Sequence, residues 1–180
     1  MTLDNMSASK KYAKAMFEVL SDSNELETGY ADLIELRKIF AANPKLIDIL
    51  DDIRVADDEK QSLLAPITQN ASDFINNFLK VVGSYRRFPQ ILDIIDQFQK
   101  IYEDDKKIVR AEVVSASPLD DDQLDRLAKA FEKRVGAVKA IFDTKVDQSL
   151  IGGIVIRSSD VIRDGSVKTR INKVKELLLN

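Results

Sequence analysis

The chain has 180 residues, 44% of them apolar, with 27 Lys+Arg against 30 Asp+Glu for a net charge of -3. That length allows one larger core or two small ones, and that charge balance lacks the basic field a general nucleic-acid binder needs to displace counterions from phosphates. Cysteine, histidine and tryptophan are absent, which removes disulfides, thiolate nucleophiles, ordinary zinc sites and the side chain best suited to moving protons near neutral pH.

Met1 to Lys11 has neither an apolar export segment nor Arg-rich transit character. The apolar runs are much shorter than the ~20 residues of a membrane helix. A soluble cytoplasmic chain with no direct membrane insertion is expected.

Residues 1–105 repeat their apolar positions at the helical period and predict six helices. Ser9 is placed to cap a first helix running to about Leu20, and Asn24 to cap a second over Glu25–Ala42. Asn43-Pro44 breaks the chain, and Pro44 starts a short third helix through Leu46, Ile49 and Leu50. Asp57 is placed to cap a fourth, with Lys60, Leu63 and Leu64 inside it. A fifth helix is expected over Ser72–Tyr85, and Pro89 opens a sixth that continues to about Asp105.

The period changes from 3.6 to 2 near Lys106. Ile108–Val114 predicts a strand, with Val109, Ala111 and Val113 facing one way and Arg110 and Glu112 the other. Asp120–Val135 predicts a helix with Leu124, Leu127, Ala128 and Phe131 on one face. Val138–Val146 alternates again, with Val138, Ala140 and Phe142 on the apolar side. Gly152-Gly153 leads into a strand at Ile154–Ile156, a short strand follows at Val161-Ile162, and a last helix from Ser166 carries Val167, Ile171, Val174 and Leu178 in phase. The expected fold is mainly α with a smaller α/β part: a six-helix bundle over 1–105, then a small α/β domain with a short mixed sheet over 106–180.

Three helices carry apolar faces wider than the stripe of about 100° that packing on a single core requires. On the first, Tyr12, Ala13, Ala15, Met16, Phe17, Val19 and Leu20 spread over about 200°. On the fifth, Phe74, Ile75, Phe78, Leu79, Val81, Val82 and Tyr85 cover roughly 160°. On the sixth, Ile91, Leu92, Ile94, Ile95, Phe98, Ile101 and Tyr102 cover about 180°. A central helix buried on two sides explains any one of these. Three in a bundle of short helices exceed what the core absorbs, which predicts a groove for an amphipathic partner helix. Tyr12 and Tyr85 suit its rim, each pairing an apolar ring with a wet hydroxyl.

Catalytic, metal and cofactor sites are not expected. The carboxylates at Asp51-Asp52, Asp57-Asp58-Glu59, Asp104-Asp105 and Asp120-Asp121-Asp122 fall at helix starts and turns, where they cap amides. No calcium-loop spacing is present. Gly152-Gly153 lies in no phosphate-loop motif and predicts a tight turn or close backbone approach. Asp164-Gly165-Ser166 reads as a turn feeding a helix with Ser166 as its cap.

Taken in order, several segments resemble one family. Tyr12-Ala13-Lys14-Ala15-Met16-Phe17 is similar to the Y-A-x-A-x-F helix that opens the delta subunit of F-type ATP synthases, relatives of the mitochondrial oligomycin-sensitivity-conferring protein. Val146-Asp147-Gln148-Ser149-Leu150-Ile151-Gly152-Gly153-Ile154 resembles its V-D-x-S-L-I-G-G-h segment, and Asp164–Arg170 its D-G-S-h-x-x-R segment. Asn77-Phe78-Leu79 through Gln97-Phe98 is similar to the family's fifth and sixth helices. Ser159 stands where the family usually has Gly, and Arg163 where it is usually apolar.

The resemblance implies a non-catalytic stator connector in proton-driven ATP synthesis, bound peripherally at the cytoplasmic face of a bacterial cell membrane and monomeric within the complex. Its N-terminal domain is implied to cap the catalytic head of alpha and beta subunits by binding the N-terminal helix of an alpha subunit between the first and fifth helices. Carried over, the contact set is Tyr12, Ala15, Met16 and Val19 with Phe78, Val81, Val82 and Tyr85. The C-terminal domain is implied to hold the peripheral-stalk b subunits, with Gly152, Gly153, Asp164, Gly165 and Ser166 as structural signature residues. An unrelated helical adaptor and a small carboxylate-dependent enzyme are the competing readings.

Overall fold

The computed structural model describes residues 2–158 and 161–179, with side chains described over 6–158 and 161–176. The chain forms two compact units, Met1–Tyr102 and Glu103–Asn180. The fold class is as the periodicity predicts, helical first and then mixed α/β.

The helices are α1 (Thr2–Asp22), α2 (Leu26–Ala42), α3 (Pro44–Asp51), α4 (Asp57–Thr68), α5 (Asp73–Ser84) and α6 (Ile91–Asp105), with a 3-10 turn at Phe88–Gln90 before α6. Three expected caps are corrected. Ser9 lies buried inside α1, about two turns from its start, and is 1% exposed. Asn24 ends α1 instead of starting α2. Its φ of 57° is left-handed, its N–H reaches the Ser21 carbonyl at 3.2 Å, and the Glu25 N–H reaches back to Leu20 at 3.0 Å. Those two bonds close a Schellman motif, in which asparagine is tolerated because its short polar side chain permits that conformation. Arg86 closes α5 the same way, at φ 52°, with Arg87 N–H bonded to Val82 at 2.8 Å. Asp57 is a first-turn residue of α4, and Ala56 occupies the cap position.

The core of the first unit runs along α6. Ile91, Ile94, Ile95, Phe98 and Tyr102 are all at most 5% exposed. Around them lie Ala13, Met16 and Leu20 of α1, Leu33, Leu36 and Phe40 of α2, and Ile75, Phe78, Leu79 and Val82 of α5. Phe17 meets Phe98 at a ring separation of 6.3 Å, and Tyr30 stacks on Tyr102 at 3.9 Å. The Tyr102 hydroxyl also donates to Glu27. Gly29 lets α2 close on α1, since a Cβ there would lie 2.5 Å from Leu20 Cδ1. The wide face of α6 is therefore mostly absorbed by the core: Ile91, Ile94, Ile95, Phe98 and Tyr102 are buried, and Leu92 and Ile101 are half-buried.

In the second unit, β1 (Ile108–Ser115) leads through α7 (Asp121–Val135) to β2 (Lys139–Val146). β3 (Ile154–Ser158), β4 (Ile162–Asp164) and α8 (Val167–Leu179) follow. The sheet order is β2-β1-β3-β4, with β1 and β2 parallel across the α7 crossover and the other pairs antiparallel. Ala111, Val113, Phe131 and Ile156 form the core, flanked by Val109, Leu119, Leu127, Ala140, Phe142 and Ile154. The opposite face of β1 presents Glu112, which pairs with Lys145 of β2 and, at 3.8 Å, with Arg157 of β3. α7 opens with a capping box: Asp120 Oδ1 accepts the Gln123 N–H at 2.7 Å, and Gln123 Oε1 accepts the Asp120 N–H at 3.1 Å.

Val138 departs from expectation. It precedes β2, its N–H bonds to the Lys107 carbonyl at 2.8 Å, and its side chain is 71% exposed. Pairing begins one residue later, with Lys139 opposite Ile108. Ser159 and the side chain of Leu178 lie outside the described residues, while Arg163 is exposed in β4.

Candidate helix-binding surface and signature turn

α1 divides its apolar residues between two directions. Ala13, Met16 and Leu20 recur at helical spacing and are buried, whereas Ala15 is exposed, Tyr12 half-buried and Val19 59% exposed. α5 does the same. Ile75, Phe78, Leu79 and Val82 turn inward, Val81 is 41% exposed, and Tyr85, just past the helix end, is 67% exposed. The eight candidate residues therefore separate. Tyr12, Ala15, Val19, Val81 and Tyr85 offer surface to a partner. Val82, with 0% exposure, has none and supports the surface from beneath. Met16 and Phe78, at 8% and 5%, are core residues showing only an edge. Burial in the bundle, invisible to a count of wheel angle, corrects these three as direct contacts.

The exposed surroundings of α1 are mostly cationic. Lys10, Lys11 and Lys14 are exposed, and Lys14 pairs loosely with Glu18 at 3.8 Å. Such a surface pair contributes little, so the positive field remains available to an approaching acidic group.

The second candidate feature explains why its residue types are needed. Gly153 has φ +80°, and a Cβ on it would stand 2.4 Å from the Gly165 carbonyl oxygen. The Gly165 N–H bonds to Ile154 O, and the Val167 N–H to Gly152 O, both at 2.9 Å. The two glycine-bearing segments are thus interlocked backbone to backbone, an approach that side chains would block. Asp164 completes the turn. Its Oδ1 accepts the Ser166 N–H at 2.8 Å and its Oδ2 accepts the Thr169 hydroxyl at 2.7 Å. Ser166, 1% exposed, caps α8 by accepting the Thr169 N–H at 3.2 Å. These five residues hold the turn and the start of α8.

Hydrogen bonds from the Ser166 backbone, then from the Ser166 and Thr169 side chains, hold the Asp164 carboxyl below the usual carboxylate range. Asp147 is lowered in the same sense by the Ser149 backbone N–H. A carboxyl depressed on folding contributes stability that is complete above its unfolded value of about 3.9 and is lost as pH falls through its folded value. Acidification below about pH 4 is therefore expected to lower the denaturation midpoint of the second unit. Asp164→Asn should flatten that pH dependence in part, Asp147 and the Lys145-paired Glu112, also held low, retaining the rest. Urea melts at several pH values would reveal an unchanged slope if the carboxylate were irrelevant.

Sequence reasoning missed one group of exposed residues. Ile151 (67% exposed), Val167 (37%), Ile171 (41%) and Val174 (55%) leave apolar surface at the signature turn and along α8. The spacing of the last three predicted a helix face, but its exposure was not legible. Ile151 is further distinguished by φ +67°, unusual for a β-branched residue.

Comparisons with known proteins agree with this arrangement. The profile of the family described as ATP synthase delta (OSCP) subunit matches residues 8–178. ATP synthase subunit delta of Lactiplantibacillus plantarum is 38% identical over 180 residues, covering 100% of this chain and 99% of the relative. The subunit delta of Pediococcus pentosaceus is 37% identical over 179 residues, covering 99% of each. In the solved Toxoplasma gondii mitochondrial ATP synthase hexamer, one chain superposes with a TM-score of 0.71 at 21% identity, covering 100% of this chain and 99% of that one, a likeness of fold. With the family profile spanning nearly every residue and the relatives matched end to end, this chain belongs to the ATP synthase delta (OSCP) subunit family.

Proposed function

We propose that this protein is the non-catalytic stator connector of an F-type ATP synthase, joining the alpha/beta catalytic head to the peripheral-stalk b subunits. It works by resisting torque: the head is held still while a central shaft turns within it during proton-driven ATP synthesis. No bond is made or broken in the connector. It is a peripheral component at the cytoplasmic face of the bacterial cell membrane, one copy per complex, and no described helix is long and apolar enough to cross a membrane.

The observation that carries this reading is apolar surface left over on a folded bundle, at Val19 of α1 and at Val81 and Tyr85 in and just past α5. It supports docking of the amphipathic N-terminal helix of an alpha subunit, its apolar stripe on these residues. The lysines at positions 10, 11 and 14 favour acidic residues flanking that stripe. A connector needs a second attachment, and the exposed apolar residues of α8 with Ile151 supply it for a b-subunit helix. Each attachment must outlast a catalytic turnover, so slow dissociation is the quantity under selection.

The test is co-purification of the tagged full chain from its own membranes, with identification of what comes with it. Recovery of alpha, beta and b subunits in one complex is the expected result. Recovery of other partners without them would establish a helical adaptor and end the stator reading.

A further inference from the structure

The signature turn carries a chemical hazard that its hydrogen bonds hold in check. Asp164-Gly165 is the one Asp-Gly pair in the sequence, and Asn-Gly does not occur. In such a pair the backbone nitrogen of the glycine can attack the aspartate carboxyl, because glycine has no Cβ to obstruct the approach. The N–Cγ bond forms, the bond from Cγ to the carboxyl hydroxyl breaks, and that hydroxyl leaves as water with the amide hydrogen. The product is a succinimide ring, which water then opens at either carbonyl. One opening restores aspartate. The other gives isoaspartate, whose main chain runs through Cβ and Cγ. No oxidant or cofactor takes part, and the final mass is unchanged.

Burial gives no protection here, since Asp164 and Gly165 are both exposed and water is at hand. Three features of the turn oppose ring closure instead. The nucleophile is engaged: the Gly165 N–H donates to Ile154 O at 2.9 Å. The electrophile is engaged too, because Asp164 Oδ1 accepts the Ser166 N–H at 2.8 Å and Oδ2 accepts the Thr169 hydroxyl at 2.7 Å. Those bonds also hold the carboxyl below the usual carboxylate range, and an ionised carboxyl has no hydroxyl to lose. Last, Asp164 ends β4, and an extended strand holds ψ near about +135°. A succinimide places Cγ, Cβ, Cα, the carbonyl carbon and the nitrogen nearly in one plane, which requires a large rotation about that ψ.

We infer that Asp164 is a site of isoaspartate formation gated by the interlock of the two glycine-bearing segments. Closed, the turn is inert; opened, it isomerises. The product does not fit back. One extra main-chain carbon separates Asp164 Cα from Gly165, so the Gly165 N–H loses its register with Ile154 O and the carboxylate loses its place at the Ser166 N–H. The start of α8 is then no longer fixed, and a past opening of the second unit is recorded as a permanent fault in it.

The test follows isoaspartate at position 164 in the full chain kept in warm neutral buffer, by chromatographic separation of the isomeric peptides after proteolysis. The chain unfolded in guanidinium sets the intrinsic rate. The folded chain should isomerise on the order of 100-fold more slowly, as a segment does that reacts only through a minor open state. Thr169→Val removes one bond to the carboxylate and leaves the sheet untouched, so it should isomerise several-fold faster than the folded wild type while keeping its circular dichroism. Gly153→Ala, which forces the two segments apart, should isomerise faster still. The converted protein should unfold at lower urea in its second unit. Absence of isoaspartate at 164 in guanidinium would abolish the site, and equal rates in the folded and unfolded chain would abolish the gate. A folded Thr169→Val as slow as the wild type, or a converted protein with an unchanged melt, would overturn the inference as well.

Discussion

Replacing Val81 with aspartate is expected to release the catalytic head from stripped membranes while leaving the head's own ATP hydrolysis intact. The contrast between Val81 and the next residue decides the outcome. Val81 is 41% exposed and Val82 is 0% exposed. A carboxylate at 81 stays in water in the free protein, and a surface substitution of that kind usually shifts stability by about 0.5 kcal/mol or less. Docking an apolar helix over it would strand the charge without a partner. Loss of an interface anchor already costs about 2 kcal/mol or more, and burial of an unpaired charge adds to it, so affinity should fall on the order of 100-fold or beyond. Ala15→Asp, on the exposed side of α1, should act alike. Val82→Asp should instead unfold the first unit, because the carboxylate then enters the core. Sedimentation of head with membranes, hydrolysis in the supernatant and thermal melts of each variant separate the three outcomes. Retention of the head by both Val81→Asp and Ala15→Asp would remove the groove from the account.

Apolar period and turn chemistry made much of this legible in the sequence. The six helices, the change of period near Lys106 and the capping carboxylate at the start of α7 follow from local rules that the fold obeys. What local rules could not supply was the division of a wide face between inside and outside. Met16 and Val19 sit on one helix and differ in exposure, 8% against 59%, because of which neighbouring helices cover them. The same holds for α6, whose breadth marks a central position, and for α4, whose Leu63 and Leu64 read like core residues and are not buried. Asn24 shows a different limit. Its residue type suits a helix start and a left-handed helix end equally, and only the bonds to Leu20 and Ser21 decide between them.

The signature turn extends the argument from residue type to necessity. Gly152-Gly153 and Asp164-Gly165-Ser166 lie at the two ends of the β3 and β4 segment, and either alone reads as an ordinary turn. Their bonds turn the pair into one device that fixes where α8 begins and how Val167 leaves the sheet. The proposed stalk-facing residues of α8 inherit their direction from it. A connector loaded in torsion needs such an anchor, since a helix attached only by a flexible link would transmit little restoring force.

That dependence makes Gly153→Ala the most damaging small substitution expected in the second unit. The left-handed conformation at φ +80° costs an alanine about 1–2 kcal/mol relative to glycine. The added Cβ would lie 2.4 Å from Gly165 O, with the Gly165 carbonyl carbon and Ser166 Cα both at 3.2 Å. These are backbone atoms tied by hydrogen bonds, so they cannot give way as a side chain would. Separation of the two segments would also break the bonds from Gly165 and Val167, each worth about 1 kcal/mol. The total, roughly 3 kcal/mol or more, is a large part of the stability of a domain this size. Gly136→Ala is the control: it carries nearly the same torsion, φ +73°, but has nothing within 4 Å of the added methyl, so it should lose only the conformational part. In urea melts followed by amide signals from each unit, Gly153→Ala should lower the midpoint of the second unit well beyond Gly136→Ala and leave the first unit unchanged. Equal losses in the two variants would mean that the close approach at Gly165 carries no weight and that the interlock does not anchor α8.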